Sequence, residues 1–165
     1  MEEVKERYVS KRVAELLKIA GFAEEVRAYY QYDSETKQWD FELDDREDTP
    51  SLWGDYYLSA PTQQMAREWI ETKYKLFIEV RCGCDLDDAY HWTGTAWFDY
   101  DIIPIGKEGI IIPDSDGIET WDKPWKAVDA ALVYVLINII LSGETVESDK
   151  DDFDKGFTNM MLKEL

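Results

Sequence analysis

The chain contains one histidine, and any chemistry that needs an imidazole must run through it. His91 follows Cys82 and Cys84 and stands among Asp87, Asp88, Tyr90 and Trp92. A Cys-x-Cys pair with a histidine seven residues on offers three soft ligands to zinc. Structural zinc sites usually take four, so the set is one short, and the competing reading is a strand cysteine beside a loop histidine. Separated by one residue in an extended segment, the two cysteines are expected on opposite faces, unable to pair easily. Ser/His/Asp and Cys/His triads need the same His91, and the chain supplies no second histidine to build one on.

A second candidate is acidic. Asp114, Ser115, Asp116 and Gly117 have the look of part of a calcium loop. Aligning Gly117 with the glycine of an EF-hand puts Ile112 at the first ligand position and Lys123 at the last. That motif therefore fails, and a turn bearing two aspartates explains the residues. Carboxylates are abundant enough that some pair is bound to meet, but no spacing specifies a glycosidase-type acid pair. Trp97, Trp121 and Trp125, with Trp92, offer a stacking platform for a sugar or a base; packing on a sheet face is the ordinary alternative. No glycine-rich phosphate loop occurs. No catalytic residue, resident metal or cofactor is assigned on these grounds.

Charge narrows the partners. The 165 residues carry 36 acids against 18 bases, a net charge of -18. Such a surface repels phosphate backbones, so direct nucleic-acid binding is not expected. Asp33 to Asp48 holds eight acids against Lys37 and Arg46, and Asp85 to Asp122 holds ten against Lys107 alone. The plain reading is a solvated acidic surface. The sharper one is a DNA-mimicking decoy for a nucleic-acid-binding protein. The start of the chain, Met1 to Arg7, lacks a basic opening and an apolar core. The apolar run Ala127 to Leu141 contains Asp129 and Asn138 and is shorter than a membrane span requires. A cytoplasmic, soluble protein is expected.

The elements that must position these residues are legible from periodicity. Ser10 caps a helix whose stripe is Val13, Leu16, Leu17 and Ala20; Gly21 stops it, and Phe22 can fold back on the stripe. Val26 to Tyr32 is read as a strand, Gln38 to Leu43 as a hairpin arm, and the rest of Asp33 to Ser51 as loop. A helix starting near Pro61, with Thr62 as an alternative cap, ends near Tyr74. It leads into a strand in which Leu76, Ile78, Val80 and Cys82 alternate with Phe77, Glu79 and Arg81. Cys82 to His91 is expected to be a loop. A strand from Trp92 to Ile102 should turn Ala96, Phe98, Tyr100 and Ile102 inward and Trp97, Asp99 and Asp101 outward. Ile110 to Ile112 reads as a short third strand.

The last helix runs from about Asp122 to Leu141 and is apolar nearly all round, with Val133, Ile137 and Ile140 continuing its supposed solvent side. Something must cover it. Either the N-terminal region packs across it or a second copy does, giving a homodimer through this helix. The fold class follows: α+β, with an antiparallel sheet of three to five strands and helices on one face, α-β-β-β-α over residues 59–141. Residues 1–50 would form an extension of the same single domain and 144–165 an acidic tail.

Two segments, VSKRVAELLKIAGFAEEVRAYY from Val9 and SAPTQQMAREWIETKYKLFIEV from Ser59, carry a resemblance. With the later aromatic strand and closing helix, they resemble small uncharacterised proteins of Bacteroides-type gut bacteria and their phages and mobile elements. That group has no assigned activity and contributes no catalytic residue. The resemblance implies an accessory protein. The order of elements is also that of double-stranded-RNA-binding domains, but Thr120 to Lys126 offers only Lys123 and Lys126 amid acids where those domains are basic. The function expected is a non-catalytic acidic interaction protein with a host protein as partner. The alternatives are the decoy and a small hydrolase using carboxylates and a divalent metal.

Overall fold

A computed structural model describes residues 6–106, 108 and 119–142. The chain is α+β, and among the described residues its antiparallel sheets are one of three strands and one of two. The described residues divide into two compact units, 8–61 with 135–142, and 6–7 with 62–134.

In the first unit, helix α1 spans Lys11–Ile19. The Ser10 hydroxyl accepts the Val13 N–H at 3.3 Å, satisfying one of the donors that a helix start leaves free. At the other end Gly21 takes a positive φ of 86°. The Phe22 N–H then reaches the Leu17 carbonyl and the Gly21 N–H the Lys18 carbonyl, the paired bonds of a Schellman stop. Phe22 is buried with Val13, Leu16 and Leu17. Strand β1 (Val26–Asp33) is central in its sheet, with β2 (Gln38–Asp48) on one side and β3 (Tyr57–Ser59) on the other. The β1–β2 turn is held by Asp33, whose carboxylate accepts the N–H groups of Glu35 and Thr36. Those two bonds hold its pKa below the usual carboxylate value. Helix α1 packs against β3 and against a π-helical stretch, Val135–Leu141, that buries Val135, Leu136, Ile140 and Leu141.

The segment after Leu43, expected to be loop, is instead strand as far as Asp48, with a register irregularity where Val26 and Ala28 face Asp48 and Leu43. An edge strand with both faces in water can carry a run of acids because none of them is desolvated.

In the second unit, helix α2 (Gln63–Tyr74) is capped by Thr62, whose hydroxyl accepts the Met65 N–H at 3.2 Å. It ends on Lys75 in the left-handed region, φ 57°. Strands β4 (Leu76–Leu86) and β5 (Trp92–Pro104) form a long antiparallel hairpin. The stretch from Cys82, expected to be loop, is strand as far as Leu86. The Asp87 carboxylate then organises the tip by accepting the N–H groups of Ala89 and His91. Helix α3 (Pro124–Tyr134) packs on β4 and β5, and α2 packs on β4 and α3. Ala66, Ile70, Ile78, Ile102 and Leu132 are fully buried. The order described is α-β-β-α; the expected third strand at Ile110 to Ile112 lies outside the described residues, as does the acidic tail.

Pro124–Leu141 is 18 residues long and the one helical segment among the described residues long and apolar enough to cross a membrane. Counting from Ala127 made it too short; the helix gains its length by starting at Pro124. Of this segment 44% is buried inside the protein, a property it shares with core helices of soluble proteins.

Candidate functional site

The zinc candidates all fall on the β4–β5 hairpin and do not assemble. Cys82 faces Phe98 and Cys84 faces Ala96, while His91 lies at the tip beyond the Leu86–Trp92 rung. Both thiols are free and exposed. The expectation that they point to opposite faces is corrected: both are strand residues, and a period of two returns Cys84 to the face of Cys82. The His91 Nδ1 lies 3.5 Å from the Asp87 carboxylate, with both side chains open to solvent. Among the described residues no three or more His, Cys, Asp and Glu side chains are grouped to hold a metal ion. Asp114 and Asp116 lie outside the described residues.

The three tryptophans named for stacking make three separate contacts. Trp97 lies opposite Gly83, so close that a Cβ on Gly83 would fall 2.0 Å from the indole. Trp121 pairs through its backbone with Phe98, and its ring stacks on Tyr100 at 5.5 Å and 30°. Alternation along β5 puts Trp97 on one face and Phe98 with Tyr100 on the other. Trp125 lies under the Arg7 guanidinium, 4.5 Å from ring centre to Cζ, and its carbonyl accepts the Gln63 amide. Of the residues named for an interface, Val133 and Ile137 are half-buried and Ile140 is 3% exposed.

Asp99 and Asp101, expected to face solvent, are 8% and 7% exposed. Arg81 grips Asp99 with two bonds of 2.9 Å and reaches Asp101 at 3.0 Å. The bond to Asp99 is the main reason the guanidinium pKa is raised. Strand alternation assigns a residue to a face but does not say what else lies on that face. These two carboxylates are committed to a structural ion pair.

The arrangement most suited to a function is one that periodicity reasoning passed over: strand β2. Its register with β1 sets Phe41 against Tyr30 and Trp39 against Tyr32. The rings touch, with centroids 5.4 Å and 5.3 Å apart. Tyr8 extends this row at Phe41, and Tyr56 stacks on Tyr32 at 5.8 Å and 14°. The Lys11 ammonium lies 5.9 Å over Trp39, within range of a cation–π attraction. The Tyr30 hydroxyl donates to the Val9 carbonyl, which fixes the inner end of the row. The opposite face of β2 carries Asp40, Glu42 and Asp44. Burial first, and then the charges of Glu42 and Asp44, push the Tyr29 phenol pKa up. Every β2 residue except Trp39 is exposed, including Phe41 at 44% and Leu43 at 57%. The signal was present in the alternation Trp39-Asp-Phe-Glu-Leu-Asp44, apolar and acidic with period two.

A comparison of the chain with protein families, with characterised proteins and with solved structures finds no match.

Proposed function

We propose that the chain is an acidic protein-binding protein that acts by association and not by catalysis. The observation that supports this is β2: an exposed edge strand, acidic on one face and carrying open aromatic and aliphatic side chains on the other. An exposed sheet edge is a template for another chain. The net charge of -18 selects a partner with a positive surface and sets nucleic acids and anionic membranes aside. Among the described residues three acids are buried: Asp99 and Asp101 are held by Arg81 and Glu15 by Lys11, so none of them is free to act as an acid or a base. By the resemblance to proteins of gut bacteria and their phages, the partner is a bacterial host protein.

The test is affinity capture of host proteins on the immobilised chain at low and moderate salt, followed by titration of the purified partner. A basic protein bound in a stoichiometric, salt-sensitive complex is the expected result. A hydrolase that holds a divalent metal would instead gain thermal stability from micromolar metal by mass action on the folded state. Because no ligand set is grouped among the described residues, the melting temperature is expected to stay unchanged with zinc, magnesium, manganese or calcium. A rise of several degrees with any of them would favour the hydrolase.

A further inference from the structure

The backbone of β2 says more about the partner than its charge does. In an antiparallel sheet the N–H and C=O of one residue point to the same side, and the side alternates along the strand. In β1 the Tyr32 N–H bonds the Tyr56 carbonyl, and the Ala28 carbonyl accepts the Ala60 N–H. Ala28, Tyr30 and Tyr32 therefore turn their backbone groups toward β3, and Tyr29, Gln31 and Asp33 turn theirs toward β2. The register pairs those three with Glu42, Asp40 and Gln38. What remains for the open side of β2 is the backbone of Trp39, Phe41 and Leu43. Among the described residues no strand lies on that side.

The same alternation sorts the side chains. Trp39, Phe41 and Leu43 share the face of the aromatic row, and Asp40 and Glu42 occupy the other. A strand added to this edge would hydrogen-bond to Trp39, Phe41 and Leu43. Its residues opposite those three would lie beside exposed rings and a leucine, and the residues between them beside carboxylates. We infer that the free edge of β2 takes up an extended segment of a partner protein whose side chains alternate apolar and basic, over the regular register from Gln38 to Leu43. This rests on the reading of the chain as an acidic binding protein and adds the partner's local sequence pattern and its main-chain geometry. At about 3.3 Å per residue the site is roughly 20 Å long.

A second copy of this chain fits the edge poorly. Pairing two β2 strands sets Asp40 and Glu42 of one against the same acids of the other, and like charges directly opposite are unfavourable. Charge on an edge strand often serves only to prevent such pairing. Here Phe41 and Leu43 stand exposed on the same strand, which works against protection and in favour of a partner.

The probe is a blocked seven-residue peptide alternating lysine and valine, titrated into the full chain by calorimetry. It is compared with a peptide of the same composition in which the lysines and valines form two blocks. A third peptide keeps the alternation but is N-methylated where its amides would meet β2. The alternating peptide is expected to bind at least tenfold more tightly than the other two. Glu42→Lys should weaken it at least tenfold. Phe41→Pro should do so as well, because that proline removes an N–H pointing away from β1 and so spares the existing sheet.

Equal binding of the alternating and block peptides would overturn the edge proposal while leaving the acidic binding reading in place. Failure of all three to bind at low salt would overturn both. A dimer in sedimentation that Phe41→Pro splits would show the edge occupied by a second copy and would also overturn the proposal. The N-methylated peptide decides the matter without any change to the protein's own fold.

Discussion

At the scale of single residues, charge and shape are settled by partners that lie far away in sequence. Arg81 is half-exposed, yet it holds two carboxylates that are nearly closed off from water. Removing it leaves both without a counterion, and an unmatched polar group of this kind costs about 1–3 kcal/mol. Arg81→Met should lower stability by that amount in urea unfolding. Adding Asp99→Asn and Asp101→Asn to that variant should recover part of the loss; a triple variant less stable than Arg81→Met would disprove the pairing account. Tyr100 carries the largest shift. Burial first, then Tyr134 and Glu119, push its phenol up to about 12 from an ordinary value near 10. An acid whose folded pKa is raised contributes stability that is present below its unfolded value and lost as pH rises through the folded one. The stability difference between the parent chain and Tyr100→Phe should therefore be constant below pH ~10 and shift against the parent between ~10 and ~12. Because the chain has ten tyrosines, it is the difference in phenolate absorbance near 295 nm between the parent and Tyr100→Phe that reports the same titration.

At the scale of elements, helix ends were the most legible part of the chain, because capping is a matter of adjacent residues. Ser10 and Gly21 bound α1 as their types require, and Thr62 caps α2. Lys75 is the exception, a lysine in the left-handed conformation at the end of α2. Glycine has no such penalty there, so Lys75→Gly should raise stability by about 1 kcal/mol. A rise in the denaturant midpoint at unchanged slope checks this, and a fall would mean that the lysine side chain makes a contact worth more than the strain. Strand lengths were less legible. Both β2 and β4 run on through acids and glycine that composition marks as loop, because a long antiparallel partner supplies the hydrogen bonds that local propensity does not.

At the scale of the whole molecule, self-repulsion among the acids is set against the attraction of the ion pairs found among the described residues. A net charge of -18 on a chain of this size opposes the compact state. Raising salt from about 10 mM to about 150 mM shortens the screening length from roughly 30 Å to roughly 8 Å. The melting temperature should rise over that range, as calorimetry can show. A fall would mean that the ion pairs of Arg81, Lys11 and Lys126 are stronger than the repulsion among the remaining acids.

The α+β class, the first helix with its caps, the alternating cores of β4 and β5 and the acidic composition were all determined by the sequence alone. Each is written in periods of two or 3.6 residues, or in composition, and needs no distant partner to be read. Tertiary structure alone decided that the chain forms two units, that Asp99 and Asp101 are buried, and that β2 is an edge. Whether a strand has a neighbour on one side or on both depends on which segments meet in space. Alternation gives the face of a side chain and leaves that neighbour unspecified. The candidate site was half legible for this reason. The alternation of Trp39, Phe41 and Leu43 with acids is plain in the residues, and its meaning follows only from β1 being paired on both sides and β2 on one.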